Sequence, residues 1–283
     1  MKYFIDTEFH QYKKKPLFSK SIDTIELISI GIIDSDNREY YAISKDFDVK
    51  EAWNRWQLET QSGDMRNIFP EGKKEYWLRE NVLKPIWREC LLESEQEWTK
   101  DGSYERFAKG LDKGEFDSLF TFKSFKKLIN KYGKTNEQIA KEVKDFIGTK
   151  ETVSNWDEVI RLRPHKIYGY FSAYDYVVFS FLFGGMESYP QGYPMLFIDL
   201  KQMLDEKLDG LRWLHGRDIW SNAHNSLHKI GKGDSQKGDV LATLNEKLKR
   251  VTKLDEYPKQ TNEHNALADA IFNKNLYNFI NKL

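Results

Sequence analysis

The stretch that most limits how this chain can fold is residues 24–33, Thr-Ile-Glu-Leu-Ile-Ser-Ile-Gly-Ile-Ile. Its apolar residues occupy both alternating faces of an extended strand, which is typical of a strand covered on both sides. Residues 3–9 predict a strand before it, and residues 38–44 predict an outer strand after the turn at 34–37. We therefore expect a β-sheet with helices packed against it.

The later part of the chain alternates helices and strands. Thr135 or Asn136 can cap a helix that carries apolar residues at helical spacing. A strand at 167–171 then leads into a second helix, a short strand covers 195–199, and the last helix runs from about residue 265 to 280. This order predicts an α/β protein with a mixed five-stranded sheet flanked by helices.

Two segments do not belong to this alternation, at about residues 53–134 and 208–258. The first is rich in Lys, Glu, Trp and Phe, and has helical patterns near 76–90 and 115–132. The second contains a polar run with several glycines, which predicts a loop. We expect a single domain over residues 1–283 with two insertions, the first of them largely helical.

Charge and cysteine content exclude some classes of protein. The 44 basic and 44 acidic residues balance to a net charge of zero, which disfavours a protein that grips long duplexes. No apolar run approaches the length of a membrane span, so no membrane partner is expected. The single cysteine, Cys90, cannot form an internal disulfide, which suits the cytoplasm and a simple packing role.

Four acidic residues stand at the ends of predicted elements. Asp6 and Glu8 are two apart on a strand and therefore point to the same face. Asp175 follows the strand at 167–171, and Asp269 lies five residues after His264 at the start of the last helix. Crowded carboxylates repel one another, and bound divalent cations are the usual remedy. Hard oxygen ligands favour Mg²⁺ or Mn²⁺.

Asp6 with Glu8, then Asp175, then His264 with Asp269 form three motifs along the chain. Their order and their places on the predicted strands and helices resemble those of the DEDDh family of 3′→5′ exonucleases, which have an RNase H-like fold. The resemblance implies a two-metal site, with two Mg²⁺ or Mn²⁺ ions held about 3.5–4 Å apart. The metal ligands would be Asp6, Glu8, Asp175 and Asp269. His264 would be the general base, a task that suits a side chain exchanging protons near neutral pH.

Residues 1–9, 24–31, 38–42 and 76–83 also look like the RNase AS group of RNase T-like bacterial exoribonucleases. This closer resemblance implies single-stranded RNA 3′ ends as substrate and nucleoside 5′-monophosphates as products. It further implies a preference for adenylate-rich ends and a homodimer. The two insertions are a departure from the compact form of that group.

Five further residues are candidates for substrate binding. Thr7 lies between the two carboxylates of the first strand. Phe9 either stacks on the terminal base or packs in the core. Glu26, expected beside Glu8, either reads the ribose or base or is hydrogen-bonded to backbone. Trp77 and Arg79 are expected to face the substrate from the segment after the third strand.

Two alternatives to an exoribonuclease stay open. A 3′→5′ DNA exonuclease would use the same metals and base. A non-catalytic nucleic-acid-binding module would share the fold, although the presence of all five active-site residues disfavours it. Serine- or cysteine-based hydrolysis lacks a nucleophile elbow and a placed Cys–His pair.

Overall fold

A computed structural model describes residues 1–15, 20–58, 74–98, 118–148, 165–208 and 256–283 of the chain. The proposed insertion at 208–258, with its glycine-containing run, lies almost wholly outside the described residues. The other proposed insertion is described in part. The sheet, the helices around it and the predicted catalytic residues all fall within the described ranges.

The centre of the fold is a mixed five-stranded sheet. Its strands are β1 (Lys2–Lys14), β2 (Ile22–Asp34), β3 (Glu39–Ile43), β6 (Lys166–Gly169) and β7 (Ile198–Asp199), in the order β3-β2-β1-β6-β7. The first three strands pair antiparallel, and β6 and β7 add in parallel on the far side of β1. A separate two-stranded pair joins β4 (Gln57–Leu58) to β5 (Lys74–Glu75). The predicted sheet is confirmed, and the arrangement is consistent with an RNase H-like fold.

Helices flank the sheet. They are α1 (Val49–Asn54), α2 (Lys84–Trp98), α3 (Phe122–Tyr132), α4 (Asn136–Ile147), α5 (Ala173–Leu182), α6 (residues 200–208) and α7 (Ala266–Ile280). A π-helical turn precedes α2, at Arg79–Leu83. The predicted cap of α4 is Thr135, whose hydroxyl accepts from the backbone N–H of Gln138 in a capping box. Within the described residues, none of the helices combines the length and apolar character needed to cross a bilayer.

Strand β7 is shorter than the sequence predicted. Only Ile198 and Asp199 pair, opposite Tyr168 and Gly169, and the residues before Ile198 are not paired with the earlier part of β6. The preceding residues Met195 and Leu196 are exposed instead of covered. Apolar character alone therefore overstated the length of this strand.

The apolar residues of β2 connect to three parts of the core, which confirms that this strand is central. Ile30 and Ile32 pack with α4, and Ile33 packs with α7. Ile28 packs with Trp87 of α2 and Phe125 of α3, and all three side chains are fully buried. The described part of the first insertion is therefore built into the main core. Cys90 is buried in the same cluster, as expected of a packing residue.

Candidate active site

Strand β1 and helix α5 bring three of the predicted acidic residues together. Asp6 and Glu8 lie on β1, and Asp175 lies in the first turn of α5. One oxygen of Asp175 accepts two hydrogen bonds from Thr7, from its backbone N–H at 2.9 Å and from its hydroxyl at 2.6 Å. Since Thr7 lies between Asp6 and Glu8, these bonds fix Asp175 against the acidic stretch of β1.

Asp269 reaches the same place from the first turn of α7. One of its oxygens accepts from Gln260 Nε2 at 2.6 Å and the other from the His264 backbone N–H at 3.0 Å. Ligand atoms of Glu8, His264 and Asp269 all lie within 4.8 Å of one another, and His264 Nδ1 is 3.8 Å from Glu8 Oε1. The structure thus brings together the residues that the sequence scattered over 264 positions.

The electrostatics of this cluster are those of crowded, buried carboxylates. Burial, followed by repulsion from Asp269 and Asp175, raises the pKa of Glu8 to about 8. Burial, followed by repulsion from Asp175, Glu8 and Asp269, holds the pKa of Asp6 well above its usual range. Burial also raises the pKa of Asp175 to about 6, against the opposing effect of the Thr7 hydrogen bonds. The charged form of each of these carboxylates is therefore less favourable than it would be in water, unless positive charge is brought in.

This donor set fits divalent cations. Ligand atoms of Glu8, His264 and Asp269 converge, and the carboxylates of Asp6 and Asp175 lie close enough to repel their neighbours. Every effect on the pKa of Asp6 and Glu8 is unfavourable to the charged form. Mg²⁺ and Mn²⁺ prefer oxygen ligands of this kind. A bound cation would remove the repulsion that raises these pKa values.

The raised pKa values predict how the metal-free protein responds to pH. A carboxylate whose pKa is raised on folding binds its proton more tightly in the folded state. The free energy of unfolding therefore falls as pH rises from the pKa of the group in the unfolded chain to its pKa in the folded protein. For Glu8 the interval runs from 4.5 to about 8. We expect the free energy of unfolding in EDTA to fall from pH 5 to pH 8, by roughly 1 kcal/mol per pH unit for each extra proton held.

Denaturant titrations at several pH values measure this slope. The variant Glu8→Gln removes one titrating group and should flatten it, and Mg²⁺ should restore stability at pH 8 by binding the folded state. An equally steep slope in the parent and in Glu8→Gln would show that Glu8 does not titrate with a raised pKa.

Helix α7 is held unusually close to the sheet, and this contact places Asp269. A Cβ atom added at Gly31 of β2 would overlap the backbone of Ala266 and Leu267. Further along the helix, the buried Asn273 donates from Nδ2 to the carbonyl oxygen of Ile5 on β1 at 2.9 Å. The first turn of α7 can therefore approach β2 only because residue 31 has no side chain.

We expect Gly31→Ala to displace the first turn of α7 and to destabilise the protein by about 1–3 kcal/mol, the usual cost of overpacking. The shift should also weaken Mg²⁺ binding, since it moves Asp269. Denaturant midpoints and calorimetric Mg²⁺ titration measure the two effects. Ser29→Ala, which adds no atom to β2, is the matched control. Parent-like stability and Mg²⁺ affinity in Gly31→Ala would mean that α7 does not depend on this contact.

The loop before α7 holds His264 in an uncommon backbone conformation, with φ at +66°. The next residue, Asn265, caps α7 by accepting from Ala268 N–H at 3.0 Å, and donates to Glu89 Oε2 at 3.3 Å. Glu89 belongs to α2 and also accepts from the Tyr41 hydroxyl at 3.0 Å. A helix of the first insertion thereby helps to hold the loop that carries His264.

Sequence reasoning missed Gln260 and Glu89, the side chains that hold Asp269 and Asn265. Neither has a local signal, because each acts on a residue that only the folded chain brings near. Asn265 did carry a signal, since Asn directly before an apolar helical pattern is a preferred N-cap.

Two of the predicted substrate residues stand beside the carboxylates. Thr7 is buried, and both of its donors are directed at Asp175. Phe9 is partly buried and stacks on the exposed ring of Tyr174, with centroids 5.6 Å apart. Trp77 meets the imidazole of His264 edge to face at 4.8 Å. Contact of these residues with substrate stays a prediction.

The sequence predicted that Glu26 lies beside Glu8, and this prediction is wrong. The register pairs Glu8 with Ser29 and His10 with Glu26, because the two strands stay paired beyond Glu8, as far as Lys14 and Ile22. One Glu26 oxygen accepts from the Tyr12 hydroxyl at 3.0 Å and the other from the Asp48 backbone N–H at 2.7 Å. These bonds match the structural alternative for Glu26, a carboxylate hydrogen-bonded to backbone.

Arg79 makes several contacts within the protein. Its Nε and Nη2 donate to the carbonyl oxygen of Trp53 at 2.9 and 2.6 Å, and its guanidinium lies 3.9 Å from the centre of the Tyr76 ring. These contacts fix the side chain against the turn before α2. Its contact with substrate stays a prediction.

Comparison with known proteins gives a partial match. No protein-family model matches the chain. Two curated proteins of Mycobacterium tuberculosis, from strains CDC 1551 and H37Rv and both called 3′-5′ exoribonucleases, are 32% identical to it over 114 residues. The match covers 38% of this chain and 58% of each relative, so the chain spans little more than half the length of these relatives. The chain is thus similar to 3′-5′ exoribonucleases over part of its length.

Proposed function

We propose that the chain is a metal-dependent 3′→5′ exoribonuclease that shortens single-stranded RNA from its 3′ end and releases nucleoside 5′-monophosphates. The observation that carries this proposal is the grouping of Asp6, Glu8, Asp175 and Asp269 around His264, in which burial raises the pKa of all four carboxyl groups and repulsion within the group raises those of Asp6 and Glu8 further. The similarity to two proteins named as exoribonucleases supports the same reaction.

The four carboxylates would hold two Mg²⁺ or Mn²⁺ ions. Such ions, when bound, lower the pKa of a water and neutralise charge that develops on the phosphate. Thr7 keeps Asp175 directed at the site, and Gln260 keeps Asp269 directed at it. Hydrogen-bonded ligands of this kind lose less freedom on binding an ion than free side chains do.

His264 takes the proton from the attacking water. Its side chain is about one-third exposed, so water reaches it, and the edge-to-face contact with Trp77 restricts the orientation of the ring. The hydrogen bond from its backbone N–H to Asp269 ties its position to that carboxylate. The exposed face of the Phe9–Tyr174 pair offers a stacking surface for a base beside the site.

Matched RNA and DNA oligomers with 5′ or 3′ labels test the reaction, with Mg²⁺ and with EDTA. We expect a ladder of shortened products from 5′-labelled RNA and immediate release of a labelled mononucleotide from 3′-labelled RNA, with no cleavage in EDTA. Preferential cleavage of DNA would favour the DNA exonuclease alternative. Binding without cleavage would favour the non-catalytic module.

The resemblance to the RNase AS group further supports a preference for adenylate-rich 3′ ends, a homodimer and a cytoplasmic location. Rates on oligo(A) and oligo(U) of equal length test the preference. Light scattering on the purified chain tests the homodimer, which should show twice the mass of 33.5 kDa.

A further inference from the structure

A groove of about 200 Å³ lies next to the carboxylate cluster. Three segments line it, residues 9–11 of β1, residues 55–57 before and within β4, and residues 77–78 before α2. Phe9 directly follows Glu8, and the Trp77 ring contacts His264, so the groove borders the site on two sides. Pockets for drug-sized ligands hold roughly 300–1,000 Å³. The groove is therefore of a size for a single flat group.

The lining has the character of a site for a nucleobase. Phe9, Trp56 and Trp77 contribute aromatic rings, on which any base can stack. Among the described residues that line the groove, Arg55 is the one that carries a formal charge, and none is a carboxylate. A positive charge at the exposed Arg55 would attract a nucleotide and repel a cation.

His10 supplies an independent sign that this groove binds a polar ligand. Its side chain lines the groove and is only 2% exposed, and Nε2 has no hydrogen-bond partner. A buried polar atom left unpaired costs about 1–3 kcal/mol, so such atoms are normally satisfied. The ring itself is fixed by stacking on Tyr12, with centroids 4.7 Å apart and planes 8° from parallel.

The imidazole of His10 can form hydrogen bonds through its ring nitrogens. The edge of a nucleobase carries donors and acceptors in a pattern that differs from base to base. A fixed imidazole can therefore distinguish bases, whereas the aromatic rings cannot.

We propose that this groove holds the base of the 3′-terminal nucleotide and that His10 hydrogen-bonds to the edge of that base, which makes His10 the residue that sets base preference. The assignment of the base to the terminal nucleotide rests on the proposed function, because the groove borders the residues proposed to cleave the last phosphodiester. Base binding in the groove does not depend on cleavage.

Calorimetric titration with the four nucleoside 5′-monophosphates tests the proposal without turnover, with Mg²⁺ and again with EDTA. Ribose 5-phosphate, which has no base, is the ligand control. His10→Phe keeps an aromatic ring on Tyr12 and removes both ring nitrogens. Tyr189→Phe is the matched control, since it removes a buried, unpaired hydroxyl that does not line the groove.

We expect the parent to bind one nucleotide more tightly than the others, and His10→Phe to weaken that nucleotide about tenfold, the equivalent of one hydrogen bond. Binding of ribose 5-phosphate should be the same in both, and Tyr189→Phe should behave as the parent. If His10→Phe does not fold, Arg55→Gln at an exposed position provides the test, and should weaken all four nucleotides relative to the parent.

Equal binding of the four nucleotides and ribose 5-phosphate by the parent would overturn the proposal, as would an unchanged ranking in a folded His10→Phe. Failure of Arg55→Gln to weaken any nucleotide would do the same where that variant is needed. RNA cleavage is measured on the same preparations. If nucleotide binding depends on His10 but RNA is not cleaved, the proposal for the groove stands and the proposed exoribonuclease function is wrong. If RNA is cleaved but binding does not depend on the base, the proposed function stands and the proposal for the groove is wrong.

Discussion

Asp6→Asn is expected to reduce RNA cleavage by at least about 10³-fold, because metal-ion catalysis is worth several kcal/mol and Asp6 lies among all the other carboxylates. Asn has nearly the same shape but carries no charge, so the fold should be kept. The substitution also removes the most crowded charge of the cluster. In EDTA at pH 8, the melting temperature of Asp6→Asn should therefore equal or exceed that of the parent.

Single-turnover cleavage of 5′-labelled RNA and thermal unfolding measure the two effects. Asp36→Asn, in the exposed turn between β2 and β3, is the matched control and should leave both unchanged. Cleavage at the parental rate by Asp6→Asn would show that the Asp6 carboxylate is not part of the catalytic site. A melting temperature well below that of the parent in EDTA would show that Asp6 stabilises the fold in its charged form.

His264→Ala is expected to lower kcat by roughly 10²–10⁴-fold, the usual contribution of a general base. The Mg²⁺ concentration needed for half-maximal activity should change little, because Mg²⁺ prefers oxygen ligands. The cluster of Glu8, His264 and Asp269 could in principle hold an ion through the imidazole, so this second measurement decides the role of the histidine.

Kinetics across pH 5–9 and across Mg²⁺ concentrations separate the two roles. A general base predicts that the pH dependence of kcat changes shape in His264→Ala. A rise of tenfold or more in the Mg²⁺ requirement, with an unchanged pH profile, would instead identify His264 as a metal ligand. Asn262→Ala, in the same loop, is the control for loop disturbance; its side chain is exposed.

Much of the fold could be predicted from local sequence. Apolar residues on both faces of β2 indicated a central strand, and Ile28, Ile30 and Ile32 are fully buried. Thr135 predicted the start of α4 because a hydroxyl at that position satisfies backbone N–H groups of the first turn. Both predictions held because the information lies within a few residues of the position concerned.

Predictions about which residues of two strands pair, and about where a strand begins, were less accurate. Glu26 was placed beside Glu8, but β1 and β2 stay paired well beyond Glu8, so Glu8 pairs with Ser29 and Glu26 with His10. Residues 195–199 were predicted as a strand, but only Ile198 and Asp199 pair with β6. The register and the extent of pairing are properties of two segments together, and neither segment's sequence displays them.

The sequence by itself determined the chemical groups of the candidate site and their elements, since strand and helix periodicity place Asp6 and Glu8 on a strand, and Asp175 and Asp269 near the starts of helices. Only the tertiary structure decided how closely they meet. That closeness depends on Gly31, which lets α7 approach β2, and on Thr7 and Gln260, which hold two of the carboxylates. The reason is physical: desolvation and repulsion depend on distances in space, and packing between segments far apart in the chain sets those distances.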